Sequence, residues 1–166
     1  MRPRNALCAV MAIVMLFAFT ACRSGGVKAS ELDVKLNGVS VSAPLTVEKL
    51  GSDYSMDKSG FAITYKGELV AGVIFDENST ESDNRKKKIT GLLTIANGGT
   101  KSVSVNGIVT GSAQSEVLKA IGEPWKKEET LDMWVYHEDG KPENDNYLLI
   151  SFDKDNRVSQ ITVRPM

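Results

Sequence analysis

Residues 107–124 read GIVTGSAQSEVLKAIGEP, and in this stretch several local signals agree on one short helix. Thr110 and Ser112 offer side-chain oxygens to the unpaired amides of a helix start. Gly122 favours the left-handed conformation that ends many helices, and Pro124 prevents continuation. The residues between these signals form an apolar stripe: Ala113, Val117, Ala120 and Ile121, with Leu118 at its border. Because an isolated helix of about 10 residues is marginal in water, the stripe predicts packing against neighbouring elements.

Three strand patterns follow this helix. They cover residues 131–137, 147–152 and 157–163, and the first places Leu131, Met133 and Val135 on one face and Trp134 and Tyr136 on the other. A turn-rich connection over residues 139–146 and a tight turn over residues 153–156 separate them. The second half of the chain is therefore predicted to be one helix followed by an antiparallel meander.

The first half of the chain shows a similar order of patterns. Asn37-Gly38 inside residues 32–42 predicts a hairpin, because this dipeptide favours a tight turn between strands. The remaining predictions are a short helix over residues 44–50, a hairpin over 60–65 and 69–75, a polar loop over 76–84, and strands over 88–96 and 102–105.

The two halves can be laid over one another. Residues 36–39 match residues 105–108, Leu50-Gly51 matches Ile121-Gly122, and Tyr65 matches Tyr136. A true duplication and a chance similarity between two ordinary meanders both stay open. In either case we predict an α+β fold, in which short helices pack on antiparallel β-meanders as two tandem units, 31–104 and 105–166.

The N-terminus has the layout of a secretory signal. Arg2 and Arg4 precede an apolar run of about 16 residues, which is shorter than the ~20 residues of a spanning helix. Residues 19–22, Phe-Thr-Ala-Cys, resemble the bacterial lipobox, so we expect removal of residues 1–21 and lipidation of Cys22. The alternative is an ordinary signal peptide with a chance cysteine. If Cys22 is lipidated, residues 22–30 are expected to be a flexible tether that holds the folded body at the membrane, outside the cytoplasm, in a bacterial cell envelope.

A longer pattern links the helix to the strands after it. Ile108, Gly111, Glu116-Val117, Ile121-Gly122 and Pro124 are followed by Trp134-x-Tyr136, Leu149-x-x-Phe152 and Val158-x-x-Ile161. This run resembles small envelope lipoproteins of the BamE (SmpA/OmlA) type and is similar to the fold of the β-lactamase inhibitor protein. The resemblance implies tandem helix-plus-meander units and protein binding rather than catalysis. It transfers no functional residue, because the matched positions are those that the fold needs.

Composition restricts the chemistry. The net charge is −1, and removal of residues 1–21 leaves 18 basic against 21 acidic side chains, which argues against a nucleic-acid partner. His137 is the only histidine, and both cysteines, Cys8 and Cys22, lie in the first 22 residues. Because these counts exclude a catalytic triad and a multi-histidine site, and residues 153–156 only resemble the opening of a calcium loop, we expect no metal and no cofactor.

Three aromatic residues are candidate partner contacts: Trp125, Trp134 and Tyr136. Packing in the core is the alternative for each of them. The cationic residues 85–88 either touch anionic headgroups or form a solvated start of a strand. We therefore expect a lipid-anchored, non-enzymatic scaffold or inhibitor that binds another envelope or extracellular protein. A small-ligand binder, or a hydrolase that uses carboxylates such as Glu138, Asp139 and Asp153, is the alternative.

Overall fold

The computed structural model describes residues 27–28, 31–42, 44–95, 102–137 and 147–164. Two α-helices lie in these ranges, α1 Val47–Leu50 and α2 Gln114–Ala120, and residues Glu129–Leu131 form a single 3-10 turn. The same ranges hold eleven β-strands: β1 Val34–Leu36, β2 Val39–Ser40, β3 Tyr54–Met56, β4 Ala62–Tyr65, β5 Glu68–Phe75, β6 Ile89–Leu93, β7 Val103–Val105, β8 Lys126–Glu128, β9 Met133–His137, β10 Tyr147–Phe152 and β11 Val158–Arg164.

Eight of these strands form one antiparallel sheet. Its strand order is β3-β4-β5-β6-β11-β10-β9-β8, so it consists of two four-stranded meanders joined through β6 and β11. A second, three-stranded sheet has the order β2-β1-β7. Both junctions between the halves of the chain, β6 with β11 and β1 with β7, are antiparallel pairs.

The junction between β1 and β7 is symmetric. Val34 faces Val105, and Leu36 faces Val103. Leu36 and Val105 each stand immediately before the Asn-Gly turn of their own half, so equivalent residues exchange places across the pair. The bridge from Val105 to Ile108 repeats, in the second half, the pairing of β1 with β2. The two halves are thus related by an internal pseudo-two-fold axis.

The two Asn-Gly turns have the same backbone conformation. Asn37 and Gly38 have φ angles of 54° and 80°, and Asn106 and Gly107 have φ angles of 51° and 80°. Two successive positive φ angles are the geometry for which this dipeptide is favoured, because glycine has no Cβ and asparagine tolerates the left-handed region. The hairpin predicted at Asn37-Gly38 is confirmed.

The predicted α+β class is wrong. The described residues are mostly β, since α1 has four residues and α2 has seven, whereas eleven strands make two sheets. Helices this short add little apolar surface, so the strands supply most of the core. The two predicted helix-plus-meander units do not form separate sheets: their meanders share one eight-stranded sheet, and the meander of the second half has four strands instead of the three predicted.

The helix that we expected to organise the second half is shorter than predicted and begins differently. Neither Thr110 nor Ser112 caps α2; Ala113 is its N-cap residue, and the Glu116 carboxylate accepts a hydrogen bond from the Ala113 N–H at 2.6 Å. The Ser112 hydroxyl instead accepts from the Val109 N–H at 3.2 Å. The position of Gly122 just past the helix, with a φ of 102°, agrees with the predicted end.

One face of the large sheet is covered. Leu148, Ile150 and Phe152 alternate along β10 and belong to the same buried cluster as Val47 of α1 and Val117 of α2. The small sheet adds its own apolar residues to this cluster: Val34, Leu36, Val103 and Val105. Both helices and the small sheet therefore pack on the same side of the large sheet.

The strands predicted for β4, β5, β6, β7, β9, β10 and β11 are confirmed within a few residues at their ends. Prediction missed β3 and β8, the two outer strands of the large sheet. The predicted boundary between residues 104 and 105 falls inside β7. The predicted signal peptide, Cys22 and most of the tether lie outside the described residues. No helix in the described part of the chain is long and apolar enough to span a membrane.

Candidate functional site

The side of the large sheet that faces away from the helices carries a continuous row of side chains. The pairing registers connect one residue from each of seven strands into this row, which we call the open-face row: Lys126, Val135, Leu149, Thr162, Leu93, Gly72 and Ala62. Its members Val135 and Ala62 are each 8% exposed but do not belong to the buried cluster of the covered face. Leu149, Thr162 and Leu93, at the centre of the row, are half-buried.

Two glycines make this face smooth. A Cβ at Gly72 would lie 2.8 Å from the Leu93 side chain, so Leu93 lies flat over that position. A Cβ at Gly91 would lie 2.8 Å from the Val163 carbonyl oxygen and 3.1 Å from both the Ile74 and the Arg164 side chains. Leu93 therefore lies close over the Gly72 backbone, and Ile74 and the aliphatic stem of Arg164 lie close over the Gly91 backbone.

The chemistry of the row suits contact with another surface. Its central side chains are aliphatic or carry one hydroxyl, and its only charge, Lys126, stands at the end of the row on β8. An apolar centre with charge kept to the rim is the usual arrangement of a protein interface.

Two of the three aromatic residues predicted as partner contacts are in the core. Trp134 is 6% exposed and packs against Phe152 with ring centroids 4.8 Å apart, while the Lys127 ammonium lies 5.1 Å from its centroid on another side. Tyr136 is 1% exposed, and its hydroxyl donates to the Gly122 carbonyl at 3.0 Å. Because β9 turns both side chains toward the covered face, Tyr136 has almost no surface to offer a partner, and Trp134 keeps only the part that lines a depression of about 180 Å³ beside Lys127 and Phe152.

Trp125 is the predicted contact that keeps exposed surface, at 41%. Its ring meets the His137 ring edge-on, with centroids 4.9 Å apart. The His137 carbonyl accepts a hydrogen bond from the Val27 N–H at 3.1 Å, and Val27 is 7% exposed. Val27, which lies within the predicted tether, is therefore fixed to the end of β9 beside Trp125.

A surface depression of about 370 Å³ lies beside α1 and the start of β3. Tyr54 and Tyr65 line it with ring centroids 4.9 Å apart, and Val39 on its border is 58% exposed. At the equivalent place in the second half, Ile108 is 4% exposed and Tyr136 is buried. The two halves thus differ in exposure at this place, where Val39 is exposed and Ile108 is buried.

Of the acidic residues considered for catalysis, Asp153 lies in the described part of the chain. The Asp153 carboxylate accepts backbone hydrogen bonds from Asp155 and Arg157, both at 2.9 Å, and so closes the turn between β10 and β11. That turn follows the end of β10, whereas His137, the last residue of β9, pairs with the start of β10. The turn and His137 therefore lie at opposite ends of the strands. Glu138 and Asp139 follow His137 and lie outside the described residues. Within the described ranges there is no group of three or more His, Cys, Asp or Glu side chains that could hold a metal.

The open-face row was not anticipated from the sequence. The alternation within YLLISF, residues 147–152, contained a signal, because it leaves Leu149 on the face opposite to Leu148 and Ile150. The pattern of one strand does not predict which other strands pair with it. Only the junction of β6 with β11 joins the two meanders into a single wide face.

Comparisons with protein-family models, with curated proteins and with solved structures found no match to this chain.

Proposed function

We propose that the protein is a lipid-anchored, extracytoplasmic, non-enzymatic binding protein that holds another envelope or extracellular protein against the open-face row, as a scaffold or as an inhibitor. The observation that supports this proposal is the row itself, a largely aliphatic face that crosses seven strands and that is covered neither by α1 and α2 nor by the small sheet. Six strand intervals of ~4.8 Å make it ~29 Å wide. A standard protein interface of ~800 Å² per partner is about as wide, at ~28 Å on a side.

The anchor in this proposal is Cys22. Residues 19–22 carry the lipobox-like pattern, and two or three acyl chains on one cysteine hold a protein at a membrane almost permanently. The variant Cys22→Ser tests it. We expect the intact mass of the wild-type protein to include acyl chains, and the variant to leave the detergent phase on partitioning. A variant that stays in the detergent phase contradicts lipidation at this residue.

Protein binding is tested on the row by Leu149→Arg, which places a long cation at its centre. Ser115→Arg is the matched control, because Ser115 is exposed on α2, away from the row. Each variant is crosslinked in native membranes, and its folding is checked by circular dichroism. We expect one dominant protein adduct that is retained in the control and lost in Leu149→Arg. An adduct that both variants retain refutes binding through this face.

Binding of a small ligand is the second candidate, and the depression beside Tyr54 and Tyr65 favours it. In that case Tyr54→Ala would abolish ligand binding, whereas Leu149→Arg would leave it intact. Native mass spectrometry of the purified protein distinguishes the two candidates, because a retained small ligand adds a discrete mass that a protein adduct does not.

A further inference from the structure

The connection between β5 and β6 ends in four consecutive cations, Arg85–Lys88. Arg85 and Lys86 are exposed, and the backbone N–H groups of Lys86 and Lys87 both donate to the Asp83 carbonyl, so the run is held in an ordered turn. Lys88 is 3.4 Å from the Asp76 carboxylate. The carboxylates of this connection all precede the cations, at Asp76, Glu77, Glu81 and Asp83. The Asp83 carboxylate accepts a hydrogen bond from the Arg85 backbone N–H at 2.9 Å, and the Lys87 ammonium lies 5.6 Å from the Phe75 ring centroid. Among the described residues, Lys88 is the member of the run that forms an ion pair, so the charges of the first three cations are not paired in this way.

A large apolar side chain stands next to these cations. Phe61, in the turn between β3 and β4, is 70% exposed. The neighbouring Gly60 is so close to the Asn84 amide that a Cβ at Gly60 would overlap it, and Asn84 directly precedes Arg85 in sequence. The turn also brings the exposed Lys58. We call this surface, formed by Lys58, Phe61, Arg85, Lys86 and Lys87, the basic-aromatic patch.

The turn that carries Phe61 is ordered by one carboxylate. Asp57 accepts hydrogen bonds from the Ser59 hydroxyl and from the backbone N–H groups of Ser59, Phe61 and Ala62. These hydrogen bonds lower the pKa of Asp57 to about 2, and the bond from the Ser59 hydroxyl has the largest effect. Asp57 is therefore ionised at neutral pH, and its carboxylate keeps the turn closed. Because the turn that carries Phe61 is already ordered, its backbone loses little conformational entropy when Phe61 inserts into another surface.

The patch and the predicted tether lie at the same edge of the large sheet, where edge means the border formed by the ends of the strands and not an outer strand. The register places the end of β9, the end of β5 and the starts of β4 and β6 at this edge. Val27 is bonded to the end of β9, so the five residues after Cys22 reach at most ~18 Å. The start of β6 is three strand intervals from β9, or ~14 Å along the edge, and the start of β4, next to Phe61, is five intervals away, or ~24 Å. An anchored chain therefore has this edge turned toward the lipid.

We infer that the basic-aromatic patch docks on an anionic phospholipid bilayer, with Phe61 inserted among the headgroups and its cations beside the lipid phosphates. Charge complementarity and the short reach from Cys22 to Val27 select this occupant over a protein. The orientation rests on the lipid anchor of the proposed function. Docking would hold the sheet edge against the bilayer and leave the open-face row, which crosses the strands, directed sideways to a partner in the same membrane.

The inference is tested with the full chain, purified from membranes and reconstituted in vesicles of phosphatidylcholine with or without phosphatidylglycerol. The photoreactive residue p-benzoylphenylalanine replaces Phe61 in one sample and Leu131 in another. Leu131 is the matched control, because it is 65% exposed in the turn between β8 and β9 at the opposite sheet edge. We expect a phospholipid adduct at position 61 that requires phosphatidylglycerol, and none at position 131.

The cations are tested in the same assay. Lys86→Ser should lower the yield of the lipid adduct about fivefold, the effect of one cation near an anionic surface. Lys154→Ser, which removes an exposed cation from the opposite edge, should leave the yield unchanged. Position 61 crosslinking equally in both vesicle types, or crosslinking in native membranes to a protein instead of to lipid, overturns the inference.

The intact mass of each sample separates this inference from the anchor. An acylated chain without a lipid adduct at position 61 refutes the docking and leaves the anchor in place. A chain without acyl groups refutes the anchor, and its patch must then give the adduct with phosphatidylglycerol vesicles added from outside; if it does not, the docking is refuted as well.

Discussion

Tyr136→Phe removes one atom that ties α2 to the large sheet. The Tyr136 hydroxyl donates to the Gly122 carbonyl at 3.0 Å, immediately after the helix, and the side chain is 1% exposed. A hydrogen bond of this kind contributes about 1 kcal/mol net, and the carbonyl left without its donor adds to the loss. We expect the free energy of unfolding to fall by about 1.5 kcal/mol, which lowers Tm by about 5 °C for a domain of this size.

The effect also depends on pH. Burial raises the pKa of Tyr136 above its ordinary value of 10.0, with a smaller contribution from the Glu123 carboxylate. Because the folded state favours the neutral phenol, the stability that Tyr136 contributes is complete below pH ~10 and is lost as the pH rises above it. The difference between wild type and Tyr136→Phe should therefore shrink in alkaline solution.

Thermal and urea unfolding followed by circular dichroism measure these differences. Tyr65→Phe is the matched control, since Tyr65 occupies the equivalent strand of the first half but is only half-buried. We expect it to change the free energy of unfolding by less than about 0.5 kcal/mol. Equal losses in the two variants, or no loss in Tyr136→Phe, would refute the assignment of this hydrogen bond to the helix–sheet junction.

Three further changes test other parts of the structure. Val117→Ala empties a fully buried position on α2 and should cost about 2 kcal/mol in urea unfolding, without a change in secondary structure. Gly91→Ala places a methyl group against the Val163 carbonyl and should cost about 1–3 kcal/mol; an unchanged urea midpoint would contradict the close packing there. Lowering the pH toward 2 protonates Asp57, so its contribution, complete above pH ~4, should be lost, and the amide proton resonance of Phe61 in NMR should titrate with it. A midpoint near 4 would show that the turn is not closed by this carboxylate.

Local patterns predicted most strands correctly because alternation and turn chemistry are properties of neighbouring residues. The Asn-Gly turn after β1 and the apolar run of β10 are examples. The outer strands β3 and β8 were missed for the opposite reason. Lys126–Glu128 reads KKE, a charged edge strand with no apolar alternation, and its place is set by pairing with β9.

The predicted helix is longer than the observed one because the residues that were expected to cap it form other hydrogen bonds. Ser112 has the composition of a cap, yet its hydroxyl accepts from Val109, and its backbone carbonyl accepts from the Val158 N–H at 2.8 Å. These residues therefore attach the preceding segment to β11 before the helix starts. Tertiary contacts of this kind override local propensity, and no single-sequence pattern reports them.

The candidate site was the least predictable part. Tyr136 and Trp134 are large aromatic residues, and composition alone does not say which face of β9 is covered. The open-face row also depends on the junction of Leu93 with Thr162, two residues from opposite halves of the chain. The lipobox-like pattern at Cys22 is different in kind, since it is contained in consecutive residues, and it stays a prediction.

The position of β11 has a consequence for how the protein is made. This strand is the last of the described strands in sequence, yet it lies in the middle of the large sheet, between β6 and β10. A chain that is synthesised from its N-terminus therefore lacks the fourth strand of the second meander, and β6 and β10 each lack one neighbouring strand, until residues 158–164 are made. Deletion of residues 158–164 should abolish the fold, and during synthesis the unfinished chain is the form most exposed to proteases and to aggregation.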